Sequence, residues 1–274
     1  MTINELQGGY SSITDMGNYG IQLPPVALVE YTCGISDIDE YVRSGKEVST
    51  MLSLAAARYA GPLGAQGAVL DFGCGSGRLL GGLSFGQASV TGCDVGAAVA
   101  AFSEKAYPHA RVVQTGLMPP LPFKDNEFGL VYSFSVFSHL PEEIEQIWLE
   151  ELHRVGSKNC LYLITVHGEW MIEATLQGEE REDIRRTGFG FKKVHARRND
   201  ELDFPEYYEA SYHTKMYIHD RWSRWFDIID VVKGDNPRNY LFDNLDFVSS
   251  GGSVPDFRPM GQDLVIARRR LVPD

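Results

Sequence analysis

The sequence predicts an α/β fold, a doubly wound and mostly parallel sheet, on three observations. The stretch VLDFGCGSGRLL at 69–80 reads as a short apolar strand, an acid at its end, a glycine turn and the start of a helix. Strand and helix patterns then alternate with short links as far as residue 166, which favours parallel strands and right-handed crossovers. The strand patterns are apolar without alternation, as expected where both sheet faces are covered by helices. The chain has 274 residues, 43% of them hydrophobic, enough for one large α/β domain with an insertion.

Residues 1–22 are rich in Gly, Ser, Asn and Tyr and lack periodicity. They read either as a tail or as a lid over a ligand, since Tyr10, Met16, Tyr19 and Ile21 are apolar for a solvated segment. Pro24-Pro25 leads into a short helix over 26–31. Gly34 and Ser36-Asp37 then break and recap the chain. A second short helix is expected over 37–43, ending near Gly45, and a longer one over 46–59. In the latter, Val48, Met51, Leu52, Ala55 and Tyr59 recur at spacings of three and four. This gives an arm, 1–45, and a main domain, 46–274, with an insertion at 168–222 on the substrate side.

The first strand covers 68–71, and the helix after the glycine turn runs from about 76 to 83. Amides at that helix start could hold an anionic group. The second strand, 89–94, ends in Asp94, an acid placed to accept hydrogen bonds from ribose hydroxyls and to disfavour a 2′-phosphate. The glycines at 73, 75 and 77 make GxGxG, whereas a dinucleotide fingerprint needs GxGxxG and position 78 is Arg78. A helix over 97–106 and a third strand over 111–114 follow. A Pro-rich link, 115–127, leads to strand four, 128–133. Pro141 with Glu142-Glu143 opens a helix whose expected apolar face is Ile144, Ile147, Trp148, Leu152 and Val155. Strand five covers 159–166.

Ligands in such sheets bind at the carboxyl ends of the strands. Asp71–Gly77, Asp94, Thr115–Leu117, Ser133–His139 and His167 are therefore expected around one cleft. His139 and His167 are candidate proton acceptors near neutral pH, or histidines that merely bond to backbone. The seven histidines form no recognisable metal set.

The insertion is expected to be helical around 170–176, with GEEREDIRR as a solvated stretch. FGFKKVHARRND, locally basic, is either surface or a site for an acidic group. EYYEASYHTKMYIH at 206–219 reads as an arm before a helix at 219–225. Strands six and seven are expected at 226–232 and 264–268 as an antiparallel pair, joined by a long loop, 233–261.

The formal net charge of −12 argues against a general electrostatic grip on nucleic acid or acidic lipid. No run of 18 apolar residues suggests a membrane span, and the first residues lack a signal-peptide pattern. The four cysteines have no CxxC spacing and read as free thiols of a reducing cytoplasm.

Taken together, VLDFGCGSGRLL at 69–80, TGCDV at 91–95, PPLPFKDNEFGLVYSFSVFSHLPEE at 119–143 and LEELHRVGSKNCLYLITVHG at 149–168 resemble the class I S-adenosylmethionine-dependent methyltransferases. The tail QDLVIARRR at 262–270 resembles the last strand of that fold. The resemblance implies a Rossmann-like seven-stranded sheet and S-adenosylmethionine as cofactor. By it, Asp71, Gly73 and Gly75 line the methionine portion, Asp94 binds the ribose hydroxyls, the loop 114–117 with Gly116 and Leu117 borders the adenine, and Cys74, Gly77, Val95 and Ser133 also bind the cofactor. Many family members carry an Asp where this chain has Thr115-Gly116, and another where it has Gly129. The resemblance places the transferred methyl near His139, and Tyr19, Tyr208 and His213 beside the acceptor substrate.

The Asp/Asn-Pro-Pro-aromatic motif of nucleic-acid N-methyltransferases is replaced here by SFSVF. With the acidic charge, this points to methylation of an O or N atom of a small molecule, such as a sugar or secondary metabolite. The alternatives are C-methylation or cyclisation with the same cofactor, or a non-catalytic binding module. Segments 1–45 and 233–261 are where a second copy would dock in a homodimer.

Overall fold

The computed structural model describes residues 22–61, 65, 67–82, 88–193, 209–235 and 261–271. Seven strands form one sheet: β1 (Val69–Phe72), β2 (Val90–Asp94), β3 (Ala110–Gln114), β4 (Phe128–Ser133), β5 (Gly156–Val166), β8 (Phe226–Val232) and β9 (Asp263–Arg269), in the order β3-β2-β1-β4-β5-β9-β8. A separate two-stranded sheet pairs β6 (Phe189–Lys192) with β7 (Ala210–His213). The Rossmann-like α/β expectation holds, and strands six and seven of the sequence reading are the antiparallel pair β8 and β9. The chain divides into two units, the described residues up to Thr115 and those from Gly116 onward.

The first unit opens with α1 (Val26–Cys33), closed by Gly34 in the left-handed conformation. Next comes α2, a single helix over Ile38–Tyr59. The expected break near Gly45 does not occur. Asp37 caps the helix by accepting the amides of Asp39 and Glu40. Gly45 is instead a contact residue: a Cβ there would lie 2.9 Å from Arg78 Cγ and 3.2 Å from the Arg78 carbonyl. The missing side chain lets α2 approach the start of α3 (Arg78–Gly82). Tyr41, Val48, Met51, Leu52, Ala55 and Ala56 bury one face of α2. β1, β2 and β3 run parallel, with Asp71 opposite Gly92 and Asp94 opposite Gln114. α4 (Ala97–Ala106) follows β2, as expected from sequence.

In the second unit, Arg154 holds the Pro-rich link. Its guanidinium donates to both Glu151 carboxylate oxygens, to Asp125 and to the carbonyls of Leu121 and Phe123, while Glu151 also accepts the Leu121 amide. Arg154 and Glu151 belong to α5 (Glu142–Val155), so the link is tied to that helix.

The buried face of α5 is rotated from the expected one. Ile147 is 38% exposed, and Glu145, Trp148, Leu149, Leu152 and Val155 point inward. β5 begins at Gly156, earlier than read from sequence, with a register irregularity against β4 between Phe128 and Leu130. The stretch expected to be solvated is α7 (Gly178–Thr187), which follows α6 (Glu169–Thr175) and buries only Ile184 among its own residues. Ile184 packs with Ile172, Leu176, Ala210 and Tyr212.

The arm expected before a helix at 219–225 contains β7, and the helix starts earlier. It is α8 (Lys215–Arg221), capped by the Thr214 hydroxyl, which accepts the Tyr217 amide. A 3-10 turn at Trp222–Arg224 follows. Phe189–Lys192 of the basic stretch forms β6, and Lys192 pairs with Glu180. Tyr19, Tyr208 and most of the 233–261 loop lie outside the described residues.

Candidate active site

The glycine turn after β1 is built on backbone that only glycine adopts easily. Gly73, Gly75 and Gly77 have φ of +79°, +51° and +79°. That conformation folds the turn onto itself. The amides of Gly73 and Cys74 both donate to the Cys93 carbonyl, and the Gly77 amide to the Cys74 carbonyl. The Gly75 amide donates to Asp94 Oδ2 at 2.8 Å. Four amides of the turn are therefore already bonded, three of them to the end of β2. What the turn offers is close approach, because it presents no side chain at 73, 75 and 77.

Asp94 stands at the end of β2. Its Oδ2 takes Gly75 and its Oδ1 takes the Gly96 amide at 2.8 Å. Burial raises its pKa, and the amides of Gly96, Gly75 and Val95 oppose that rise. A carboxylate has about four acceptor directions, so each oxygen can still receive a ligand hydroxyl. Asp71 is buried on β1, and Cys74 and Cys93 are buried thiols whose pKa values burial raises well above the ordinary range. Val95 follows Asp94, and its carbonyl accepts from Gln114 Nε2 at 3.5 Å. A side-chain-free turn beside a carboxylate with spare acceptor directions fits an adenosyl-amino-acid cofactor.

Gly116, Leu117 and Ser133 belong to the second unit. Leu117 is 43% exposed and Ser133 is buried at the end of β4. That unit also brings together the two histidines singled out from sequence. The His139 and His167 rings lie 5.5 Å apart, edge to face. His139 Nδ1 lies 2.9 Å from the Glu209 carbonyl. A carbonyl only accepts, so Nδ1 carries the proton and Nε2 keeps its lone pair. Burial pushes the His139 pKa down to about 4, opposed by the Glu209 carbonyl. Burial, and then the neighbouring His139 and His213, push His167 down to about 3. Both rings are neutral at pH 7.

His213, expected beside the acceptor, is wholly buried, and its Nε2 meets Glu145 Oε2 at 2.5 Å. Glu145 also accepts from Tyr217 Oη at 3.0 Å and Trp222 Nε1 at 2.8 Å.

Sequence reasoning missed Glu145, the Glu209 carbonyl and Ser135. Ser135 has φ +62°, donates its amide to Thr165 Oγ1 and receives Gln262 Nε2. Only Glu145 carried a signal. It stands three, four and seven residues before Trp148, Leu149 and Leu152, a charged residue on an apolar helical stripe. Among the described residues no group of His, Cys, Asp and Glu could hold a metal ion.

The low histidine pKa values set a pH dependence of stability. Each folded value lies below the unfolded one of about 6.5. The contribution is therefore complete above pH 6.5 and is lost as pH falls toward about 4 for His139 and about 3 for His167. The melting temperature of His167→Gln is expected to fall less than that of the wild type between pH 6.5 and 4. Calorimetry across that range checks this, and parallel curves would count against it.

An α/β sheet with a glycine turn after β1 and an acid after β2 defines a nucleoside-cofactor enzyme class. Residues 70–164 match the family model for a methyltransferase domain. By structure the chain is similar to the PH0226 protein from Pyrococcus horikoshii OT3, with a TM-score of 0.51 and 14% identity over 84% of this chain and 93% of that one. It is also similar to an S-adenosylmethionine-dependent methyltransferase from Methanosarcina mazei, with a TM-score of 0.50 and 19% identity over 75% and 93%. Those likenesses carry the fold. The family match, with the GxGxG turn, makes residues 70–164 a methyltransferase domain, an enzyme domain whose cofactor is S-adenosylmethionine.

Proposed function

We propose that this methyltransferase transfers the methyl group to an O or N atom of a small molecule, a sugar or secondary metabolite, with His139 as proton acceptor. The observation that carries the reading is the fixed tautomer of His139, a neutral imidazole with its lone pair on Nε2. S-adenosylmethionine supplies a methyl group already activated on a sulfonium. The protein's remaining work is to orient an acceptor and receive its proton.

In this reading Asp94 receives the ribose hydroxyls. Asp71, Gly73, Cys74, Gly75, Gly77 and Val95 border the cofactor, as do Gly116, Leu117 and Ser133. His167 is the second imidazole of the site. The arm 1–45 and the insertion 168–222 supply the acceptor side, with Tyr19 and Tyr208 among their residues.

The net charge of −12 and the SFSVF stretch support a small acceptor over nucleic acid. No helix among the described residues is long and apolar enough to cross a membrane. All four cysteines are unpaired, which suits a reducing cytoplasm. A homodimer through 1–45 or 233–261 belongs to the same proposal.

A screen of hydroxyl- and amine-bearing metabolites with methyl-tritiated cofactor tests the reading, and label transferred to such a product is the expected result. Once an acceptor is found, His139→Asn is expected to lower kcat by about 10²–10⁴-fold with cofactor affinity unchanged. Full turnover in that variant would remove His139 as the base.

A further inference from the structure

Strand β7 lies against both imidazoles: the residue before it holds the His139 ring, and Tyr212 within it packs near His167, with ring centroids 5.6 Å apart. Residues 209, 211 and 213 are alternate positions, so their backbone groups share one edge and their side chains one face. All three meet the segment that follows β4. Glu209 exchanges backbone bonds with His139: its carbonyl receives His139 Nδ1–H, and its amide donates to the His139 carbonyl at 3.2 Å. The Ser211 hydroxyl donates to the Leu140 carbonyl. His213 Nε2 donates to Glu145.

The same strand edge meets His167: the His213 amide donates to the His167 carbonyl at 2.8 Å, within a parallel bridge of His167 with Tyr212. The Glu209 carbonyl, one residue before β7, thus sets the tautomer of His139.

A strand's side-chain period is two, so a slip of one residue would turn the Glu209 carbonyl away from His139. β7 is only four residues long and pairs on its other edge with the four-residue β6. Its register therefore depends on side-chain anchors. The anchor at its far end is the buried Glu145 carboxylate, itself held by Tyr217 and Trp222.

We infer that Glu145 is a positioning residue: by holding His213 it fixes the register of β7, so that the Glu209 carbonyl sets the ring tautomer of His139. The inference rests on the reading of His139 as proton acceptor only for its catalytic meaning. The groups facing His139 include the Glu209 carbonyl and carboxylate and the His167 ring.

The test is long-range proton–nitrogen NMR on the full chain with ¹⁵N-labelled histidine. In the wild type, His139 is expected as the Nδ1–H form. In Glu145→Gln, whose one carbonyl is claimed by Tyr217 and Trp222 so that its NH2 faces His213 Nε2–H, the His139 tautomer ratio is expected to fall at least tenfold. Its titration midpoint should move up toward about 6.5. Glu145→Asp, which keeps the carboxylate, is expected to recover part of the wild-type spectrum.

A merely structural Glu145 predicts a lower melting temperature with the His139 spectrum unchanged, and that result would overturn the inference. Should Glu145→Gln not fold, His213→Leu removes the same contact from the strand's side and is read in the same way. A wild-type His139 in the Nε2–H form overturns the inference with no variant at all. Because the readout is spectroscopic, it fails independently of the turnover test on His139.

Discussion

Replacing Asp94 by alanine is expected to weaken S-adenosylmethionine binding by at least about 100-fold, or about 2.7 kcal/mol. The size follows from the double role of the carboxylate. In the free protein, Oδ2 holds the Gly75 amide and Oδ1 the Gly96 amide, both at 2.8 Å. Each bond to a charged acceptor is worth about 1.5–3 kcal/mol. Removing it unties the glycine turn from the loop after β2 and leaves two amides without their acceptor. The cofactor also loses the group proposed to receive its ribose hydroxyls.

Asp94→Asn separates the two roles. It retains one carbonyl oxygen for one amide but turns an NH2 toward the other, so its loss should fall between wild type and alanine. Titration calorimetry with the cofactor measures all three. An alanine variant within twofold of wild type would remove Asp94 from the site.

Replacing Gly77 by alanine is expected to lower the melting temperature by about 10 °C. A Cβ on Gly77 would lie 2.0 Å from Tyr107 Cε2 and 2.6 Å from Cδ2. Tyr107 is wholly buried and closes α4, with its amide on the Ser103 carbonyl, so the ring has little room to retreat. Overpacking of this kind costs about 1–3 kcal/mol, and a non-glycine residue at φ +79° adds about 1–2 kcal/mol. At about 2–4 °C per kcal/mol for a chain of this size class, the sum gives the stated shift. Gly61 supplies the control. Its φ is +91°, but a Cβ there meets nothing within 4 Å among the described residues. Gly61→Ala should therefore pay the backbone penalty alone, with a shift of only a few degrees. Equal melting temperatures for the two variants would show that the Tyr107 contact yields.

Much of the fold was readable because its signals are local. β1, β2 and β4 are buried along almost their whole length and appear in the chain as short, mostly apolar runs without alternation. α4, β4 and β8 have the bounds read from sequence, and the others that begin or end on Gly, Pro or Asp differ by a few residues. The glycine turn and the acid after β2 were legible for the same reason, since φ above zero at three alternate positions needs glycine at each.

What was not legible depended on a partner distant in the chain. Gly45 looked like a helix end because glycine usually breaks helices; it is helical because Arg78 occupies the place of its side chain. The face of α5 was misread because a carboxylate counts as solvent-seeking until three donors from residues 213, 217 and 222 surround it. The four-residue strands β6 and β7 lie among residues too few to show a period, and they exist by pairing with each other.

The sequence by itself determined the methyl-donor turn, since its three glycines and two acids are within 24 residues of one another. It also placed His139 and His167 at the ends of β4 and β5. Only the tertiary structure decided which ring nitrogen of His139 carries the proton. That choice is made by a backbone carbonyl 70 residues further along, and no side chain in the sequence records where a carbonyl will point.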